Sequence, residues 1–520
     1  MKNYIIIVFL LISMVWISCE EYGIQELNRI GIENDSISIS GVDAFYEKIV
    51  GDQLTIEPQI TQRGNKELSY LWIARLRDDI GFTVLADTLS YEKNLNYPIS
   101  LFPQFKPYEL EFYAIDNETQ VFKRNVSELK VSTDFAHGVL LLNELNNTAK
   151  LDYIRFDGKL YDDVYAASNG EDLGENGLSI KFTPTSDIYV PTYIQITCAD
   201  SRGGVMLNPF SMTKIHETKD LFAFPPSSME SIKSYTTVHQ SDLSILTYNN
   251  NYYFRRYSEG WASYVGSYAL VDNHVYTITY DYTSNINSKF GYPQSIAEGD
   301  IPEFDLYHKG FSASTGSVFY FDKLNKRFLS FEAPNSPYLR TGVFPTSTTN
   351  LNFDIINAGW GYSGGQFRNN TSFLVKNEDD EFELFVSYKG NAPILREVLT
   401  GTSTIFTEDT PIAFSNYAHG FYYADEANNL MFYNANGHSN TNLGNLGQQI
   451  TALKIRPLPQ RDDFTKMESY RLYVATYGGS EGTGSVYVYE IDIEDNKNVT
   501  LLESYENVTD RVIDIDYKMY

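Results

Sequence analysis

The chain has 520 residues, of which 42% are hydrophobic and 21% charged. That is enough for a sizeable core and for about two to four ordinary domains, and it is not the composition of a disordered chain. Its 67 acidic against 40 basic side chains give a net charge of −27, a field that repels phosphate backbones and argues against nucleic-acid binding. The aromatic share reaches 15%, with 41 Tyr, 32 Phe and 4 Trp, and aromatics favour strands, so an all-β protein is expected.

At the N-terminus Lys2 precedes an apolar run from Ile5 to Ile17, broken only by Ser13. The run is shorter than the roughly 20 residues that span a bilayer. Ser18, Cys19 and the pair Glu20 and Glu21 follow, the layout of a bacterial lipoprotein signal, with residues 1–18 cleaved and Cys19 acylated. Trp16 stands where such signals usually carry leucine. Several acyl chains anchor a protein stably. No later stretch approaches the roughly 18 apolar residues of a spanning helix, so a folded body tethered by lipid is expected. With Cys19 acylated, Cys198 has no intramolecular partner. It shares a strand face with Ile194 and Ile196 and reads as a small buried hydrophobe.

Residues 19–30 read as a polar tether, and residues 31–134 as a run of short alternating strands. Leu54 and Ile56 share one face, as do Leu68, Tyr70 and Trp72. In YELEFYAID, Tyr108, Leu110 and Phe112 point inward, and Glu109 and Glu111 outward. Turn residues at Gly51-Asp52, Gly64-Asn65 and Asp116-Asn117 separate such runs. This pattern predicts an immunoglobulin-like sandwich with Trp72 as its core plug and no disulfide. Tyr108 reads as a core tyrosine, with a corner hydrogen bond as the alternative.

From residue 137 to 520 the pattern changes to long hairpins, starting at residues 138, 193, 243, 316, 372, 420 and 471. A spacing near 50 residues around a central hairpin predicts a β-propeller of about seven four-stranded blades. The longer interval after 243 holds an insertion or an eighth blade, and an irregular multi-sandwich protein is the competing architecture. The last run, RVIDIDYKMY, puts Ile513, Ile515 and Tyr517 on one face and Asp514 and Asp516 on the other. In a propeller such a strand completes the first blade and closes the ring, which removes an exposed sheet edge.

GDQLTIEP (51–58), LSYLWIA (68–74), KPYELEFYAID (106–116), ADSRGGVMLNPFSMTKI (199–215) and GSVFYFDKLNKRFLSF (316–331) resemble the PKD-like lipoprotein family of Bacteroidota. The Glu20-Glu21 pair after the cysteine resembles the surface-export signals of lipoproteins from that phylum. The resemblance implies an outer-membrane lipoprotein facing the extracellular side, encoded beside TonB-dependent SusC/SusD-type importers. It transfers a setting and no active site. PKD domains proper carry a Trp-Asp-Phe-Gly-Asp-Gly-type stretch, whereas Trp72 is followed by IARLRDD, so the kinship with them is architectural.

Local motifs offer little chemistry. GGSEG at 478–482 fits G-x-S-x-G around Ser480, but a nucleophile elbow needs a strand running into a helix, and both flanks here read as strands. The seven histidines, His137, His216, His239, His274, His308, His419 and His438, are scattered without metal-ligand spacing. The acidic runs EDDEFE (378–383) and DIEDN (492–496) lack the alternation and central glycine of a calcium loop and read as solvated turns. GWGYSGG (359–365) lacks a P-loop lysine. No catalytic residue, metal site or cofactor is assigned. Trp261 and Trp360 sit among Gly, Ser and Tyr off any clean alternation. They are either core residues or flat platforms for a sugar ring or a protein partner. The expected function is a non-catalytic ligand-binding or accessory subunit of a SusC/SusD-type uptake system, taking a glycan or a peptide. The alternative is an extracellular propeller glycoside hydrolase or lyase, whose carboxylate pair would come from separate blades and leave no local motif.

Overall fold

The computed structural model describes residues 37–64, 67–77, 83–103, 107–183, 193–239, 245–248, 251–254, 265–279, 304–314, 317–332, 343–345, 351–360, 370–388, 393–415, 418–459, 467–492 and 495–518. The chain divides into two compact units, Met1–Thr133 and Asp134–Tyr520.

In the first unit, alternation builds a sandwich. One sheet runs in the order Phe45–Ile49, Phe122–Ser132, Tyr108–Asp116, Leu68–Arg77 and Thr83–Ser90, with only the first pair parallel. Facing it are two short antiparallel pairs, Ile37–Ser40 with Gln59–Gln62 and Gln53–Ile56 with Leu95–Pro98. Leu54, Ile56, Trp72, Leu95, Tyr108, Leu110 and Phe112 form the core between them. Trp72 is fully buried, 4.4 Å from Phe112 between ring centroids, and its indole N–H donates to the Lys93 carbonyl at 3.2 Å. Tyr108 is core and corner at once: its hydroxyl donates to the Phe102 carbonyl six residues upstream at 2.7 Å.

Glu111, read as outward, does turn away from the core, yet it is fully buried. Arg75 and Arg124 lie diagonally across from it on the two neighbouring strands. They reach its carboxylate at 2.6 and 3.3 Å, and the Tyr113 hydroxyl donates to it at 2.8 Å. Alternation predicts which face a residue takes, but not that long side chains from both flanks will cover that face.

The second unit holds seven blade-like sheets among the described residues, all antiparallel and six of them in sequence order. The C-terminal strand Arg511–Lys518 pairs with Gly138–Leu145 and completes the first sheet, which continues through Thr148–Arg155 to Leu160–Tyr161. The remaining sheets span 177–217, 232–279, 311–345, 353–398, 412–445 and 449–509. Apolar side chains weld each to the next. Tyr193 and Met206 of the second meet Tyr235 and Ala269 of the third. Tyr268 and Leu270 meet Val318 and Tyr320 of the fourth. Phe319 and Phe328 meet Phe353 and Phe373 of the fifth. Leu374 and Leu384 meet Phe421 and Tyr433 of the sixth, and Tyr422 and Phe432 meet Leu472 and Val474 of the seventh. Tyr473 and Val486 then meet Leu141 and Ile515 of the first. The unit is a β-propeller, and the aromatic excess of the sequence is spent between its blades. Because each blade is covered on both faces, Tyr193–Cys198 is buried at all six positions. Cys198 is a free thiol in that strand, pushed up to about 12 by burial.

The hairpin beginning at 243 is not a blade centre. Among the described residues Ile245–Tyr248 and Asn251–Phe254 pair with each other alone, as an insertion between the first and second strands of the third blade. The central hairpin of that blade is Val265–Val271 with His274–Thr279. Its turn residues Asp272 and Asn273 both have positive φ, 46° and 59°, as a type I′ turn requires. The long interval therefore lies before the third hairpin and not after it.

Candidate functional site

The first strands of successive blades approach one another around the propeller axis, and the join between the first and second blades is made there by side chains. The Asp514 carboxylate accepts the Ile180 N–H at 3.0 Å and that of Asp516 accepts the Phe182 N–H at 2.6 Å. The equal sequence offset means that Arg511–Lys518 and Gly177–Thr183 run parallel and in step. The other oxygen of each carboxylate accepts the next amide in its own strand, Ile515 N at 2.9 Å and Tyr517 N at 3.0 Å. These two aspartates, the polar face of the terminal strand, act as an inter-blade joint.

Three further blades send polar side chains to the same level. Lys454 of the seventh reaches Asp514 at 3.4 Å, and the two side chains keep 32% and 24% of their exposure, so solvent reaches this pair. Asn357 of the fifth stands at a bulge in Phe353–Trp360, a device that re-aims a side chain. Its Nδ2 donates to the Thr410 carbonyl at 3.3 Å, which turns Oδ1 toward Lys309 of the fourth, 3.0 Å away. Gly310 follows Lys309, and a Cβ there would sit 2.5 Å from the Tyr320 ring, so only glycine lets the chain close on that ring.

Lys309 is half-buried. Burial lowers its pKa to about 8, with Asp514 raising it and Lys454 lowering it. Next to it His308 packs against Tyr307, 4.2 Å between centroids. Burial, helped by Lys309, Lys323 and Lys233, pushes His308 down to about 3, so the ring is neutral at physiological pH.

A concavity of about 530 Å³ opens where the first and second blades meet, lined by Asp172, Glu175, Asp200, Arg202 and Glu230 among others. Its arginine is committed to the loop, donating to the carbonyls of Leu173 and Asp172 at 2.5 and 3.1 Å and to the Asp200 carboxylate at 3.4 Å.

A buried polar knot lies beside the closing strand. Asp152 accepts from Asn143 Nδ2 at 2.5 Å, the Thr509 hydroxyl at 2.6 Å and the Asp163 N–H at 2.9 Å, yet burial still raises it to about 6. Fully buried Lys518 donates to the carbonyls of Phe135 and Pro209 beneath the Phe210 ring, and burial lowers its pKa.

Cys19 and Trp261 lie outside the described residues. Trp360 ends the innermost strand of the fifth blade, with Thr371 as its register partner. Ser480 sits in an exposed hairpin loop between Met467–Tyr477 and Gly484–Ile491, and no group of three metal-ligating side chains occurs among the described residues. The acidic runs are only partly solvated turns. Glu383 is 5% exposed and holds Arg396 at 2.7 Å. Asn496 is buried, accepting the Ser415 hydroxyl at 2.6 Å and, through its carbonyl, the Tyr422 hydroxyl at 2.5 Å. Sequence reading missed Lys309, Asn357 and Lys454, which come from three separate blades and share no local motif.

Residues 22–176 match the model of the PKD-like family. No curated protein matches the chain. Among solved structures, a quinonprotein alcohol dehydrogenase-like protein from Bacteroides thetaiotaomicron is 12% identical, with a TM-score of 0.40, over 89% of this chain and 96% of its own. An arginine-to-alanine mutant of AofleA from Arthrobotrys oligospora is 9% identical, with a TM-score of 0.33, over 64% and 89%. The β-propeller domain of Cps50 (Swd1) from Myceliophteria thermophila is 10% identical, with a TM-score of 0.30, over 70% and 95%.

Proposed function

We propose that this chain is a non-catalytic ligand-binding subunit, held at the outer membrane by acylated Cys19 and serving a SusC/SusD-type importer from the extracellular side. The observation that carries the binding part is the chemistry of the side chains around the propeller axis. Both axial carboxylates, Asp514 and Asp516, are occupied by backbone amides of the neighbouring blade, while the side chains of Lys309 and Lys454 keep part of their solvent exposure. Such a set of side chains suits the recognition of a ligand. Trp360 stands three residues beyond Asn357 on the same innermost strand, about 10 Å along it, and is proposed with Trp261 as an aromatic platform for a glycan or peptide. Tethering beside a transporter would raise the effective concentration of captured ligand. The membrane and importer parts rest on the N-terminal motif and the family resemblance.

The test is a tagged pull-down from detergent-solubilised outer membranes of the native host, with palmitate labelling in parallel. Label on the chain and co-purification of a SusC/SusD-like pair, both lost in Cys19→Ala, are expected. Recovery of the unlabelled protein alone would sink the proposal. Reducing ends released from polysaccharide would instead favour the hydrolase reading, for which the acid-lined cleft between the first two blades is the place to mutate.

A further inference from the structure

We infer that Asn143, Lys150, Asp152, Thr509 and Asp510 form a pH-sensitive clasp on the closing strand, which holds the ring more tightly in acid than at neutral pH. This goes beyond the binding reading above and does not depend on it.

The chain passes from Val499–Thr509, the last strand of the seventh blade, to Arg511–Lys518 through a single residue, Asp510. Thr509 and Asp510 are both buried, and a Cβ on the neighbouring Gly484 would sit 2.1 Å from the Asp510 carbonyl. Side chains of the first blade grip these two residues. The Thr509 hydroxyl donates to Asp152 at 2.6 Å and accepts from Asn143 Nδ2 at 2.6 Å. Lys150 holds the Asp510 carboxylate at 3.0 Å, and the Gly482 N–H of the seventh blade donates to it at 2.9 Å.

The two grips respond differently to protons. Burial lowers the Lys150 pKa, but Asp510, Asp162 and Asp152 raise it by more, so the ammonium stays charged at neutral pH. Asp152 is 4% exposed and meets only neutral donors, Asn143 Nδ2, the Thr509 hydroxyl and the Asp163 N–H. A buried carboxylate with no cation in contact favours its neutral form. The charged groups around it do not reverse this. Asp162 raises it further, and Lys150 is paired with Asp510. Asp163, itself raised by burial, accepts the Ala166 N–H, and Arg511 and Glu144 pair with each other at 4.0 Å. Burial therefore raises Asp152 from 3.8 to about 6 despite its three donors. When the crossover lifts away and the carboxyl meets water, it returns to its ordinary value. The grip of Asp152 is thus fully present below about pH 4 and lost as pH rises through about 6. Release would leave Gly138–Leu145 without its partner strand and the Ile180 and Phe182 amides without Asp514 and Asp516, so the joint between the first two blades opens with it.

The experiment is hydrogen exchange read by mass spectrometry on the full-length chain in detergent, with labelling times corrected for the intrinsic pH dependence of exchange. Between about pH 4 and about pH 7, peptides from Arg511–Lys518 are expected to lose about tenfold or more in protection. Peptides from Asn370–Asn377, in the fifth blade, should keep theirs. Asp152→Asn should abolish the difference, whereas Asp163→Asn leaves the Asp152 carboxyl in place and should retain most of it. Lys150→Met should lower protection at both pH values and keep at least the same ratio, which keeps the test decisive if Asp152→Asn does not fold. Equal protection at the two pH values, greater protection at the higher one, or a loss shared by all strands would each overturn the clasp. So would a difference that survives in Asp152→Asn or vanishes in Asp163→Asn. None of these outcomes depends on a ligand, the membrane anchor or the importer, so failure here and failure of the pull-down are separable.

Discussion

Single side chains decide more of this protein than its repeats suggest. Tyr108 ties the loop at Phe102 to its strand through one hydroxyl. Tyr108→Phe should cost the first unit about 1 kcal/mol, seen as a lower urea midpoint at unchanged slope; an unchanged midpoint would mean that solvent serves the Phe102 carbonyl equally well. Asp152 carries a pH dependence of definite sign. Its folded pKa is raised, from 3.8 to about 6, because desolvation outweighs its three donors. The stability it contributes is therefore fully present below about pH 4 and lost as pH rises through about 6. Asp152→Asn removes that titration and sets an amide N–H₂ against existing donors. The stability gap between wild type and variant should shrink from pH 4 to pH 6.5 in urea titrations, and a gap that widens would refute the assignment.

The closing strand is the element on which the propeller depends. Arg511–Lys518 joins the two ends of the second unit by pairing with Gly138–Leu145 and by presenting Asp514 and Asp516 to the second blade. Ending the chain at residue 510 should leave the first blade with an unpaired edge and the second without its two carboxylate acceptors, and the second unit should lose its cooperative thermal transition and aggregate. Asp516→Ala, milder, orphans the buried Phe182 N–H and should cost about 1–3 kcal/mol, read from denaturant unfolding. A short turn in the second blade is as exacting. Gly204 has φ +96°, and a Cβ there would lie 2.0 Å from the Ile196 carbonyl. The chain has to pass at that distance so that Val205–Leu207 can pair back on Tyr193–Cys198.

At the scale of the molecule, the two units have separate cores and lack a disulfide among the described residues, so stability comes from packing alone. Calorimetry should resolve two transitions. Trp72→Ala, which empties the centre of the sandwich, should lower one of them by an amount equivalent to about 3–5 kcal/mol and leave the other unmoved. A shift in both would show that the units unfold as one. The family match over residues 22–176 runs past the first unit into the first blade, so the matched region is not the sandwich alone.

The all-β class, the sandwich core around Trp72, the propeller repeat and the closing role of the last strand were all written in the sequence, because alternation and turn residues act over a few neighbours. Where a blade core is central and where it is interrupted was not. The hairpin at 243 and the one at 265 have the same local pattern, and only pairing with Ile232–His239 marks the second as a blade centre. Glu111, Glu383 and Asn496 likewise look solvated one residue at a time and are buried by side chains from other strands. The axial site is the extreme case. Lys309, Asn357, Lys454 and Asp514 are distributed over more than 200 positions, and no spacing rule links them. Their pairing, Lys309 with Asn357 and Lys454 with Asp514, is a product of ring closure, which brings residues of different blades together.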